Sequence, residues 1–503
     1  MQIAVVADVH LHDLHGGYGM VEEGSGGLVL RTLADTMAST RVFNESHSAF
    51  LAVLDDIVRR GIRDVVLLGD YSDDGQLGAV AAVKRILSDY ENTHGLRFFT
   101  TFGNHDSYGP ASRHLAKRLT KADGLQPRLV TSDDRAPAPA VVCSGMRGMS
   151  TAEAMEAMAL YGVTRPPNVF HWETPGDDDR ASLDASYLVE PQQGLWLLML
   201  DANVFQKVGD AWRVRADAAW DHVLAERPYL LAWMEDVADR AKRLGKTLLA
   251  FSHYPALPLA LKGEGSEIQS ACTPEWSKRM PSLETGRRIA RAGIGWHFSG
   301  HMHVAGRIEL DGLVNIAVPS PVAYPGGYVV VNVQADGVDV EAVRLENVAG
   351  FDAAFPAYEV QSGDDNGAPL GKVLACATYS DFLRVHLQNL IETKHVLDDW
   401  SPELLASLDT PIGQVLGEGS SAADLNVLWP HVTSLPFGRM VEDYYLIRAA
   451  GRQVLGQLSP ERVAFYRDLD LRFRSSLLLE GARFGDHSGF LALFTACTNA
   501  VLD

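Results

Sequence analysis

Cysteine is nearly absent from this chain. Four residues of 503, Cys143, Cys272, Cys376 and Cys497, lie far apart and form no CxxC pair. No thiolate metal site or disulfide framework follows from them, and they read as buried thiols of a reduced compartment, with at most one or two disulfides. Basic residues are also short: 44 Lys and Arg stand against 64 Asp and Glu, a net charge of −20. Affinity for polymeric nucleic acid comes from cationic side chains neutralising phosphates, so non-specific DNA or RNA binding is disfavoured. Docking on anionic lipid is disfavoured for the same reason. No apolar run reaches the ~18 residues of a membrane span. Met1 leads within two residues into the strand-like Ile3–Ala7, so no signal peptide is expected and the expected location is the cytoplasm.

What is present is globular. Hydrophobic content is 47% and charged content 21%, and a chain of this length outgrows one ordinary core. Short β-prone runs are predicted at Gln2–Ala7, Asp64–Leu68, Arg97–Phe102, Leu195–Leu200, Thr247–Phe251 and Ile294–Phe298, with Tyr187–Val189 paired to Leu195–Leu200. Apolar residues at helical spacing fall between the first three, from about Asn44 to Arg60 and from Gly78 to Tyr90. A glycine-rich loop runs from Gly16 to Gly27. Residues 107–182, rich in Pro, Asp and Ala with one helical piece near Thr151–Tyr161, read as an insertion or cap on the catalytic edge. Residues 346–370 look like a linker. Beyond it, 371–503 read as a helical domain, with an amphipathic Val373–Ile391, a capping box at Ser421–Asp424 and a helix start at Ser459-Pro460.

The chemistry gathers at strand ends. Asp8-Val-His10, Gly69-Asp70, Gly103-Asn104-His105-Asp106, Ser252-His253 and Gly300-His301-Met-His303 each follow a predicted strand. In an open α/β sheet that edge is where ligands bind. Imidazole with carboxylate suits Mn, Fe or Zn, whereas a calcium site would lack the histidines. Residues two apart on an extended segment face the same side, so both members of D-x-H and of H-x-H can reach one site.

The ordered set D-x-H, GD, GNHD, H, GHMH resembles the calcineurin-like metallophosphoesterase superfamily over residues 1–345. The resemblance implies an α/β fold, a four-layer α/β/β/α sandwich followed by the C-terminal α-helical domain. It implies two divalent or mixed-valence metal ions, one on Asp8, His10 and His303, the other on Asn104, His253 and His301, with Asp70 bridging. It gives His105 the role of acid toward the leaving group, with Asp106 holding its ring, and attack by metal-activated hydroxide. The branch with a metal-binding Tyr three residues after the bridging Asp does not fit, because that position is Asp73; Tyr71 is expected to point away from the metals. In layout the chain resembles bacterial metallophosphodiesterases with a helical appendage, which implies a small phosphodiester substrate such as a cyclic nucleotide. A phosphomonoesterase and a catalytically silent scaffold on the same fold are the alternatives. The helical domain is a candidate surface for homo-oligomer formation.

Outside that set, His12 continues the alternation of Asp8 and His10 and is a candidate substrate contact; His15 and His47 read as surface groups. Asp13, Asp73 and Asp74 read as a solvated loop face, with support behind the metal ligands as the alternative; Asp177–Asp179 read as a solvated turn. Tyr444, Tyr445 and Arg448 read as core and boundary packing of a helix.

Overall fold

A computed structural model describes residues 1–22, 26–176, 183–259, 261–262, 269–270, 274–334, 337–362, 368–417, 420–479, 487, 490–491, 494–495 and 497–498. Cys272 and Asp177–Asp179 lie outside the described residues. Two sheets stack face to face. The first has five strands in the order Gly337–Arg344, Gly327–Gln334, Gln2–Val6, Asp64–Leu67, Arg97–Thr100. The second has seven, in the order Gly306–Leu310, Leu313–Ala317, Trp296–Ser299, Thr247–Ser252, Leu195–Leu200, Tyr187–Gln192, His171–Glu173.

Alternation along the strands builds the layers. Ile3, Val5, Val66, Leu68 and Phe99 face Leu195, Leu197, Met199 and Phe251 of the other sheet across an apolar interior. Their neighbours Ala4, Val6, Val65, Leu67 and Phe98 point outward and are covered by helices Ser46–Arg59 and Leu77–His94. Helices Ala219–Glu226, Pro228–Leu244 and Leu283–Arg291 cover the outer face of the second sheet. The result is the four-layer α/β/β/α sandwich with a C-terminal helical region. The pairings Gln2–Val6 with Asp64–Leu67 and Asp64–Leu67 with Arg97–Thr100 are parallel, as are those flanking Thr247–Ser252. The polar residues after these strands therefore emerge on one edge.

Three features differ from the sequence reading. The insertion contains strands Ala116–Lys121, Arg128–Thr131 and Val141–Val142, which join Val29–Arg31 in a four-stranded sheet; its helix Thr151–Ala157 starts in a capping box made by Ser150 and Glu153. The linker stretch carries helix Phe355–Ser362, and Tyr358 is fully buried, its hydroxyl contacting Asn44 (2.7 Å) and Glu45 (3.0 Å). Ser421 and Asp424 lie inside helix Ser420–Leu428 rather than ahead of it. The start at Pro460 holds, with Ser459 Oγ accepting from Arg462 N at 3.2 Å. Cys143, Cys376 and Cys497 are half-buried thiols and none is in a disulfide. No helix among the described residues is long and apolar enough to cross a membrane.

The helical region docks on the same edge of the sandwich. Tyr379 donates to the Pro321 carbonyl at 2.8 Å, the His386 ring nitrogen meets the Thr36 carbonyl at 2.9 Å, and Ala305 N donates to Ala449 O at 2.8 Å.

Candidate metal centre

Left-handed backbone marks the site. Asp8 (φ 55°), His10 (45°), Asp70 (49°), His301 (67°) and His303 (53°) all adopt positive φ, a conformation costing non-glycine residues roughly 1–2 kcal/mol each. Local hydrogen bonds hold them there. His10 N donates to Asp70 O at 2.8 Å and Leu11 N to Tyr71 O at 3.1 Å, so the chain after the first strand runs beside the chain after the second. His301 N donates to both Asp8 carboxylate oxygens at 3.0 Å, and Ser320 Oγ to the Asp8 carbonyl at 2.8 Å. Gly103 is required by a close approach: a Cβ there would collide with the Asp70 carboxylate.

These turns bring seven side chains together. Ligand atoms of Asp8, His10 and His303 lie within 4.8 Å of one another, as do those of Asp8, Asp70 and His253. Asp70 Oδ2 lies 3.4 Å from His253 Nε2 in its own group and 3.6 Å from His10 Nε2 in the other. Asn104 Oδ1 is 3.1 Å from His253 Nε2 and 2.9 Å from His301 Nδ1, and His10 Nε2 is 3.1 Å from His303 Nε2. Asp8, His10, Asp70 and His253 are buried; Asn104, His301 and His303 open partly to the cleft. His253 Nδ1 sits 2.9 Å from the Leu68 carbonyl, which can only accept. Nδ1 therefore carries a proton, and Nε2 faces Asp70 and Asn104.

The electrostatics suit cations. Among the described residues neither Asp8 nor Asp70 pairs with a Lys or Arg; both face imidazoles. Burial works against the Asp70 charge, but His253, His105 and His10 outweigh it and hold the carboxyl well below the usual range. Burial likewise pulls the His253 imidazole down, and Asp70 beside it wins, raising it to about 9. Burial lowers His10 and His301 well below the ordinary imidazole value. His10 Nδ1 and His301 Nε2 are buried without a hydrogen-bond partner. Two carboxylates lacking a basic partner and a converging donor set of His, Asp and Asn fit divalent metal ions.

His105 lies at the edge of this group, its ring 5.0 Å from that of His10. Its partner differs from the expected one. His105 Nδ1 meets Asp74 Oδ1 at 2.5 Å. Asp106 instead turns inward and accepts from the backbone of Asp70 (2.6 Å), Gly103 (2.7 Å) and Tyr71 (3.2 Å), positioning the Asp70 loop. Adjacent residues in this turn point to opposite sides, so Asp106 cannot reach its neighbour's ring. Asp73 and Asp74 are not a solvated face either. Asp73 is buried against Arg31 (2.8 Å), Arg41 (3.4 Å) and Lys117, and Lys117 also pairs with Asp74. Lys117 comes from the insertion sheet, which is thereby anchored behind His105. Tyr71 points into the core against Phe102, away from the site.

His12 is corrected as a substrate contact. Its ring is buried, stacks on Tyr18, and places Nε2 3.0 Å from the Val29 carbonyl; burial lowers it to about 4. His15 is exposed and His47 half-buried, their rings 5.4 Å apart. Tyr444 is core, as its spacing suggests, but Tyr445 and Arg448 also line a cavity of about 520 Å³ that opens beside His301 and His303. Its far wall is helical, from His386 to Asp399. Sequence reasoning missed the His386–Asp399 wall and preferred a solvated face for Asp74: neither sits in a motif, and only tertiary proximity reveals them.

Residues 1–145 match the family described as calcineurin-like phosphoesterase. No curated protein matches the chain. Among solved structures it is similar to a dimetal phosphatase from Danio rerio, at 13% identity and TM-score 0.41, over 68% of this chain and 95% of that one. It is also similar to a phosphopantetheinyl hydrolase from Mycobacterium tuberculosis (10%, TM-score 0.26, 64% of this chain and 90% of that one). A third is a putative 5'-nucleotidase from Staphylococcus aureus (13%, TM-score 0.31, 68% and 52%). The N-terminal segment, residues 1–145, thus matches the calcineurin-like phosphoesterase family, and it supplies Asp8, His10 and Asp70 to the Asp and His groups suited to metal ions.

Proposed function

We propose that the protein is a metal-dependent phosphodiesterase acting on a small organic phosphodiester. The observation that carries the reading is the pair of adjoining groups Asp8–His10–His303 and Asp8–Asp70–His253, with Asp70 Oδ2 within 3.6 Å of His10 Nε2 in the first and 3.4 Å of His253 Nε2 in the second. Asp8, His10 and His303 would hold one ion; Asn104, His253 and His301 the other, with Asp70 serving both. Such ions, Mn, Fe or Zn, supply Lewis acidity toward the phosphoryl oxygens and make water nucleophilic near neutral pH. The chain's own residues do the rest. Asp8, Asp70 and Asn104 orient the centre, Asp106 and Gly103 fix the Asp70 loop, and His105, held at Nδ1 by Asp74, delivers a proton from Nε2 to the departing alkoxide.

The diester reading is supported by the wall beside the centre. The helical region lines the His301–His303 side, which gives an ester substituent a surface, and Lys117 of the insertion sheet braces Asp74 behind His105 on the other side. Chelation should abolish hydrolysis and manganese restore it. Asp70→Ala should lose activity and Cys376→Ala keep it. A nitrophenyl diester should outpace the matching monoester; a faster monoester would replace the diester reading with a phosphomonoesterase, and full activity in Asp70→Ala would end both.

A further inference from the structure

The cavity beside His301 and His303 is asymmetric in charge and origin. On a chain of net charge −20, it gathers three cationic side chains: Arg279 before the last catalytic strands, and Lys394 and Arg448 from the helical region. Arg448 is largely buried in an aromatic setting, its guanidinium carbon 4.5 Å from the Tyr445 ring centre and 5.0 Å from that of Trp276. Stacking of that kind fixes a guanidinium and leaves its edge for hydrogen bonding. Lys394 and His395 reach the wall through a turn of π-helix, Ile391–His395, in an otherwise α-helical run. Such a turn inserts an extra residue and is frequent at functional sites. The cations converge: burial first, then Arg448, Lys394 and Arg279, lower the His395 imidazole to about 3, and Arg279 also acts on His301.

Two carboxylates share the wall. Asp399 is already engaged, accepting from the Tyr445 hydroxyl at 2.9 Å and pairing with Arg448 at 3.4 Å. Asp398 is exposed at the mouth. Among the described residues, Arg279 and Lys394 form no ion pair.

We infer that this cavity binds a second anionic group of the substrate, a carboxylate or further phosphate on the ester arm, with Arg279, Lys394 and Arg448 as its receptors. The inference rests on the phosphodiesterase reading and narrows it. A cyclic mononucleotide, whose one charge is the scissile phosphate, leaves these cations unused; a diester with a charged arm engages them.

The test is calorimetric binding to the manganese-loaded full chain of non-hydrolysable ω-carboxyalkyl phosphonates of graded length, each against the alkyl phosphonate of equal length. At the best length the carboxylate should tighten binding about tenfold, the usual worth of one charge-assisted hydrogen bond. Lys394→Gln and Arg279→Gln, both at exposed positions, should each remove most of that gain and leave the alkyl series unchanged. Equal affinity of the two series, or variants that bind the charged probes like the parent chain, would overturn the inference while the phosphodiesterase reading stands. Failure of both series to bind would overturn the two together.

Discussion

Replacing Asp74 by Asn tests the acid role of His105. The carboxylate lies 2.5 Å from His105 Nδ1, shares Lys117 with Asp73, and has Arg41 at 3.8 Å. Lys117 and His105 hold it well below the usual carboxylate range against the opposing effect of burial. Asn keeps the shape and withdraws the charge that steadies a doubly protonated imidazole. A positioned general acid is worth ~10²–10⁴ in rate, about 3–5 kcal/mol of barrier. Asp74 acts only through the ring, so the lower end applies, a loss of about a hundredfold in kcat. That loss must depend on the leaving group. A diester expelling an alkoxide needs the proton; one expelling nitrophenolate does not, and its kcat should fall by no more than about threefold. Steady-state rates of the manganese-loaded protein on the two diesters read this directly. His105→Gln should show the same split, and the double variant should be no worse than His105→Gln alone, because residues acting as a unit are non-additive. Equal losses on both substrates, or additive losses in the double variant, would refute the argument and leave Asp74 a merely structural anchor. Asp106→Asn is the contrast: its three backbone N–H contacts position Asp70, so both substrates should suffer alike.

The remaining predictions concern stability and the centre itself. Glu45 is fully buried, and burial raises its carboxyl from 4.5 to about 7; the folded state holds this proton more tightly, so the stability it lends is full below pH 4.5 and is lost as pH rises through 7, a change of about 3 kcal/mol. Urea midpoints at pH 5 and pH 8 should show that drop in the parent and not in Glu45→Gln, and an identical drop in both would contradict it. Gly103→Ala drives a methyl into the Asp70 carboxylate and should cut bound metal, measured by atomic emission, together with activity by more than about a hundredfold. Tyr71→Phe removes a buried hydroxyl without a partner, so it should raise unfolding free energy by about 1 kcal/mol in denaturant titration with kcat unchanged; destabilisation instead would mean the hydroxyl is satisfied.

The sandwich was readable because its strands are short apolar runs that end in Asp, Asn or His, and because Ile3 and Val5 alternate with Ala4 and Val6 across two cores. The insertion sheet was not, since strand Ala116–Lys121 buries a lysine where the pattern demands an apolar residue, and Lys117 makes sense only once Asp73 and Asp74 are in place behind it. The ring partner of His105 was misread for a related reason. Asp106 is its chain neighbour, but the turn sends the two side chains apart, while Asp74 arrives from a loop thirty-one residues earlier. His12 failed as a cleft residue because the extended run stops pairing after Leu11, which bridges to Ser72, and the ring turns under the Val29 carbonyl. Periodicity correctly buried Tyr444, yet it carries no information on what stands opposite Tyr445 and Arg448, and that is a question of docking.

Docking ties the helical region to the metal centre by two short routes. Tyr379 bonds the Pro321 carbonyl, and the preceding residue, Ser320, bonds the Asp8 carbonyl. Ala449 accepts from Ala305, two residues beyond His303. Asp8 and His303 are both left-handed and both in the same Asp/His group. Positions held in costly backbone conformations persist only where the surroundings over-determine them. The sheet edge alone supplies one side of that restraint, through His10 N and Leu11 N; the helices Tyr379–Leu390 and Phe437–Ala450 supply the other. The same two helices present His386, Tyr445 and Arg448 to the cavity. A single docking surface thus restrains both the backbone of Asp8 and His303 and the wall of the cavity beside them, so a change that undocks the helices would disturb the two together.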